Sequence, residues 1–231
     1  MSSPLPRKRV YDLPLRIFHA TFALLFVGAF VIAKTVDDED PRFHWHMLLG
    51  IALGANAILR LLWGFVGSTH SRFLNFPLAP RSLVRYLGGL LQGDRTRWSG
   101  HNPASSWLTL FLLGLALALP ASGLLMSAGY AKKPLEEAHE IFGTLFVLGV
   151  LAHFAGIALH TLRFKELIGL SMFDGKKHGV PATESAPSVR LGSAGLYVAL
   201  LGVLGAALIR GYDPARKIVT LGTLTLKLGF E

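Results

Sequence analysis

Four histidines, His19, His46, His139 and His153, stand inside or at the ends of long apolar stretches of this chain. Neutral imidazole is a nitrogen ligand for metals, and an ionisable side chain held at membrane depth marks a functional site. His139 and His153 are fourteen residues apart. On a helix that separation falls about 40° short of four full turns and spans ~21 Å, so the two imidazoles share one face at two depths.

The elements that must position them are legible from composition. Of 231 residues 52% are hydrophobic and 16% charged, against about 25% charged in soluble domains, and the mean hydropathy is +0.47. The apolar residues gather into five blocks, Ile17–Ala33, Met47–Val66, Trp107–Ala131, Ile141–Leu162 and Leu191–Ile209. Each is near the ~20 residues that a helix needs to cross the hydrocarbon core, so the expectation is an integral membrane protein. Lys and Arg set its orientation. Arg7, Lys8, Arg9 and Arg16 precede block one, Arg72 to Arg97 lie between blocks two and three, and Arg163 to Lys177 follow block four. These segments are expected in the cytoplasm. The acidic stretch Asp37–Asp40 and the segment with Lys132, Lys133, Glu136 and Glu137 then face the other side, as does the C-terminus. The net charge of +9 is thereby read as bilayer topology and not as nucleic-acid binding. Block one carries His19 and lacks a small-residue cleavage pattern, so it reads as a retained helix and not a signal peptide.

With that topology, His46 and His139 lie at one depth near the outer side, and His19 and His153 at another near the inner side. Two bis-imidazole sites stacked in a helical bundle suit two haems b, one axial ligand coming from each facing helix. Gly50 and Gly143 follow the outer histidines by four residues, where a missing Cβ lets a porphyrin approach the backbone. Arg60, fourteen residues after His46, should lie level with the inner haem and pair with a propionate; the competing reading is a side chain that snorkels to the interface. His44 points to a different side of its helix and is the weaker candidate. His160 competes with His153 as the partner of His19, but it lies almost at the headgroups. His70, His101 and His178 fall in polar segments and are read as solvated. Pro120 should kink the third span without carrying chemistry. The absence of cysteine excludes disulfides, thiolate-held iron–sulfur clusters and covalently attached haem within the chain.

The expected organisation is an all-α, integral membrane four-helix di-haem bundle over 1–173 and a cytoplasmic linker over 174–190. A fifth C-terminal transmembrane helix over 191–210 and an extracytoplasmic tail over 211–231 follow. In the tail, Leu224, Leu226 and Leu228 alternate with polar residues, a strand pattern. Such a strand should pair with a partner protein or lie disordered at the interface.

The run Val10 to His19, the run Arg60 to Gly67, the segment Gly100 to Ala104, and Glu137-Ala138-His139-Glu140 resemble the prokaryotic cytochrome b561 family, which includes the cytochrome b subunits of Ni,Fe-hydrogenases. The resemblance covers roughly residues 9 to 178. It implies a four-helix di-haem b bundle of the bacterial cytoplasmic (inner) membrane, ligated by His19, His46, His139 and His153. Electrons would pass between the quinone pool and a periplasmic redox protein, either a c-type cytochrome or an oxidoreductase subunit. The chain departs at Ala20, where many members have Trp, and its fifth span lies beyond the shared region. Two other readings are a stand-alone membrane quinone oxidoreductase and a haem-free transport or assembly subunit.

Overall fold

A computed structural model describes residues 7–181 and 191–228; the remainder of the 174–190 stretch and the two chain ends lie outside the described residues. In chain order the elements begin with strand β1 (Lys8–Arg9), helix α1 (Leu13–Thr35), helix α2 (His44–Val66) and helix α3 (Pro80–Leu91). Helices α4 (Pro103–Ser127), α5 (Lys132–Phe164) and the short α6 (Ser171–Asp174) follow, then strand β2 (Lys176–Lys177), helix α7 (Leu191–Gly211) and strands β3 (Tyr212–Asp213), β4 (Ile218–Leu221) and β5 (Leu224–Lys227). Among the described residues five helices, α1, α2, α4, α5 and α7, are long and apolar enough to cross a membrane. In lipid a backbone must satisfy its own hydrogen bonds, and a helix does so within one segment. The all-α membrane architecture is as expected. The helix α3 was not anticipated: it is amphipathic, with Arg81 and Arg85 interleaved among exposed Val84, Leu87 and Leu91, a composition suited to the interface plane.

The chain divides into two compact units. The first comprises Met1–Ile17, Arg60–Leu112 and Leu148–Ala194; the second comprises Phe18–Leu59, Leu113–Val147 and Gly195–Glu231.

The first unit is organised around Asp12, which is 4% exposed. Its Oδ1 accepts the Leu15 N–H at 3.0 Å and so caps the start of α1. Oδ2 accepts from Trp63 Nε1 at 3.1 Å, Ser68 N at 3.2 Å and Ser71 Oγ at 3.0 Å. Four donors around one buried carboxylate tie the entry of α1 to the exit of α2. Within the stretch read as a linker, β2 pairs antiparallel with β1. The turn into it depends on Gly175, whose φ is +76° and whose carbonyl accepts from both Val10 N and Tyr11 N. A Cβ there would lie 2.6 Å from the Tyr11 carbonyl oxygen.

In the second unit Phe146 is buried against Phe26, with ring centroids 4.0 Å apart. Asn56, fully buried, donates to Thr21 Oγ1 at 3.1 Å and accepts from Tyr197 Oη at 2.5 Å, linking α1, α2 and α7. Pro120 sits inside the continuous α4, and its ring occupies the space beside Gly54, where a Cβ would come within 2.7 Å of Pro120 Cγ.

The tail corrects an expectation. Its strand is neither alone nor without order: β4 pairs with both β3 and β5 in an antiparallel sheet of order β3-β4-β5. The reason is that Val219 and Leu228 find an apolar seat against Met47, Leu48 and Leu208, which fixes the register of the hairpin. Leu228→Ala is expected to destabilise this packing by about 2–5 kcal/mol, measured by thermal unfolding in detergent. A change close to zero would mean that the sheet does not hold the end of α7 to α2.

Candidate functional site

Of the predicted ligand residues, the structure brings His46 and His139 together in the second unit. Their ring centroids are 6.0 Å apart and their planes make an angle of 69°. His46 lies in the first turn of α2 and its Nδ1 is 2.9 Å from the Ala29 carbonyl oxygen. A carbonyl only accepts, so Nδ1 carries the hydrogen and Nε2 keeps its lone pair. His139 lies in the third turn of α5, with Nδ1 2.9 Å from Ser122 Oγ. The Ser122 hydroxyl is itself 2.9 Å from the carbonyls of Ala118 and Leu119. Its single hydrogen goes to those carbonyls, so its oxygen accepts the Nδ1–H of His139. Both imidazoles are therefore held in the tautomer whose Nε2 is available as a ligand.

Gly50 and Gly143 flank this pair with open space: a Cβ on either would meet no atom within 4 Å. Among the described residues there is no group of three or more His, Asp or Glu that could hold a metal ion.

The inner candidates are distributed differently. His19 belongs to the second unit and His153 to the first. His160, the competitor of His153, has Nε2 buried without a hydrogen bond, 4.0 Å from Glu166 Oε2, and Glu166 is paired with Arg97. Arg60 is 1% exposed, donates from Nη2 to the Ser71 carbonyl at 2.9 Å, and stacks its guanidinium 4.6 Å above the centre of the Phe73 ring. His44 is buried, with Nδ1 2.9 Å from Tyr212 Oη, so its ring is engaged by the C-terminal sheet.

His101 departs from the expectation of a solvated side chain, being half-buried. Its ring packs on Phe76 at 4.4 Å and near Tyr11 at 5.8 Å, and Nδ1 is sealed from solvent with no hydrogen-bond partner. Burial first, and then the positive charges of Arg60 and Lys177, push its pKa down to about 3. The folded protein thus keeps His101 neutral where the unfolded chain, with a pKa near 6.5, takes up a proton. Its contribution to stability is fully present above pH 6.5 and is lost as pH falls toward 3. Thermal unfolding followed from pH 7 to pH 4 is expected to show this loss, and His101→Gln to flatten it. An unchanged acid slope in the variant would assign the effect to other groups.

A family model, prokaryotic cytochrome b561, matches residues 10–175. The chain belongs to this family. It is a membrane b-type cytochrome of electron transfer, and haem b is the family's cofactor. No curated protein and no solved structure matches the cytochrome. The family match ends one residue after α6, so α7 and the C-terminal sheet of this cytochrome are additions to the shared region.

Sequence reasoning missed the groups that orient the cytochrome's histidines. A backbone carbonyl, as at Ala29, leaves no trace in residue type. Ser122 sits in an apolar span where a serine most often bonds to its own helix. The Asp12 network was likewise hidden, although Asp12 and Trp63 both fall within the segments that carry the family resemblance.

Proposed function

We propose that this cytochrome holds two haems b, each between two imidazoles. His46 and His139 ligate one, and His19 and His153 the other, each pair through Nε2. The observation that carries the reading is the His46–His139 pair. Two imidazole nitrogens each about 2 Å from one metal put the ring centres about 6 Å apart, and these rings are 6.0 Å apart. Two imidazoles alone make a poor site for a bare metal ion. A porphyrin brings four nitrogens of its own, and Gly50 and Gly143 leave the backbone open on the faces it would occupy. His153 is preferred to His160 because His160 lies only four residues from the end of α5 at Phe164, almost at the headgroups. Arg60 would serve a propionate of the inner haem.

Bound haem supplies one-electron redox chemistry, and the protein sets its potential through axial ligands, second-shell hydrogen bonds and burial. Here the Ala29 carbonyl and Ser122 Oγ raise the basicity of the outer imidazoles and hold their planes, while Phe26 and Phe146 keep the unit apolar. Electrons would pass between the quinone pool and an extracytoplasmic redox partner, a c-type cytochrome or an oxidoreductase subunit. The Lys and Arg distribution supports a multi-pass arrangement in the bacterial cytoplasmic membrane, with the N-terminus cytoplasmic and the C-terminus periplasmic.

Haem content per chain, combined with a potentiometric titration of the purified protein, tests this. Two haems b per polypeptide and two redox components are expected. One haem per polypeptide would remove the four-ligand assignment.

A further inference from the structure

Antiparallel pairing sets Lys8 opposite Lys177 and Arg9 opposite Lys176. Like charges directly across a strand pair are destabilising, so this ribbon calls for negative charge nearby. The first unit supplies little. Asp174 is already paired with Arg7 at 2.6 Å, and Glu166 with Arg97. Among the described residues no carboxylate lies within 4.0 Å of the charged groups of Lys8, Arg9, Lys165 or Lys176. Arg9 Nε is moreover buried without a hydrogen-bond acceptor, an arrangement that costs free energy unless an anion is supplied.

Beside the ribbon is a cavity of about 230 Å³ lined by Arg7, Lys165, Glu166, Lys176, Lys177 and His178 together with apolar residues. Its position along the chain is informative. Helix α5 is a membrane-scale span that ends at Phe164, one residue before Lys165, so the cations begin where a span leaves the hydrocarbon and headgroup phosphates lie. Immediately beyond, Leu167, Leu170 and Phe173 recur at intervals of three and are 67%, 46% and 78% exposed, an apolar strip next to the cationic cavity. Lys177 is fixed from behind, its Nζ donating to the carbonyls of Trp98 at 2.7 Å and Gly100 at 2.9 Å.

We propose that this cavity binds the phosphate of an anionic phospholipid, with Lys165 and Lys176 meeting the headgroup, Arg9 supporting the charge, and the acyl chains lying along Leu167, Leu170 and Phe173. The apolar strip selects a lipid over a free phosphate, and the excess of cations selects an anionic lipid over a zwitterionic one. Such a lipid neutralises the ribbon and so ties the N-terminal strand to the end of α5.

The full-length cytochrome is mixed with vesicles of phosphatidylcholine with and without phosphatidylglycerol and re-extracted, and bound lipid per polypeptide is counted by mass spectrometry. Phosphatidylglycerol is expected to be retained and phosphatidylcholine not. The pair Lys165→Ala and Lys176→Ala is expected to weaken retention by about twenty-five-fold, taking roughly fivefold for each basic group, with the visible spectrum unchanged. If that double variant fails to fold, Arg9→Gln alone decides, with a loss of about fivefold expected. Equal retention of phosphatidylcholine, or phosphatidylglycerol retained unchanged by a folded variant, would overturn the proposal. So would complete displacement by inorganic phosphate, which would make this a site for free anions.

Discussion

His46→Ala and His139→Ala are each expected to lose one and the same haem, so that each variant keeps about half of the reduced α-band absorbance. His19→Ala and His153→Ala are expected to lose the other. A haem held by two imidazoles would keep only one protein ligand in such a variant, so its binding would fail at that site alone. Ser122→Ala provides a graded companion. It leaves Nε2 of His139 in place but removes the acceptor for Nδ1–H, so both haems should remain while the outer one shifts in potential. Second-shell partners of metal-bound histidines typically matter by about 10–100-fold in affinity. The decisive measurement is reduced-minus-oxidised spectra of the variants. If His46→Ala and His19→Ala remove the same component, the pairing is wrong. If His160→Ala removes a haem while His153→Ala does not, His160 is the inner ligand.

Asp12→Ala should be the most destabilising single substitution in the first unit, by about 3–5 kcal/mol, because it strands buried donors whose desolvation cost is then uncompensated. Leu15 N, Trp63 Nε1, Ser68 N and Ser71 Oγ all donate to this carboxylate. Asp12→Asn is expected to rescue little. An amide keeps one acceptor oxygen but turns an NH₂ group toward donors on the other side. Thermal unfolding in detergent, followed by far-UV circular dichroism, measures both variants. An Asn variant within about 1 kcal/mol of the parent would show that only the helix cap at Leu15 matters and that the Trp63 and Ser71 bonds are incidental.

The effect of Asp12 bears on how the resemblance segments are to be understood. Val10 to His19 and Arg60 to Gly67 look, as sequence, like two ligand-bearing helices with their flanks. In the structure, Asp12 of the first accepts from Trp63 of the second, and Tyr11 lies beside His101 of the third segment, Gly100 to Ala104. Much of what makes these segments recognisable is thus a lock that fixes the start of α1 and the end of α2.

The five membrane-scale helices and the apolar-span histidines follow from the sequence by itself, for a local reason. In hydrocarbon each segment must satisfy its own backbone, so twenty apolar residues commit to a helix whatever lies beside them, and an imidazole placed there is conspicuous. The alternation of basic and acidic segments is the basis on which a direction for each helix, and with it a pairing of histidines by depth, is proposed. Tertiary structure alone decided which ring nitrogen is engaged, because the Ala29 carbonyl and Ser122 hydroxyl each lie 17 residues from the histidine they meet. It also decided that the His101 ring is half-buried with Nδ1 sealed: its segment is polar, and the cover comes from Phe76 and Tyr11, brought in from elsewhere in the chain. The tail followed the same rule. Its period announced a strand, but whether that strand would find partners in its own chain depended on Met47 and Leu48, some 170 residues away, and no local pattern encodes a contact at that separation.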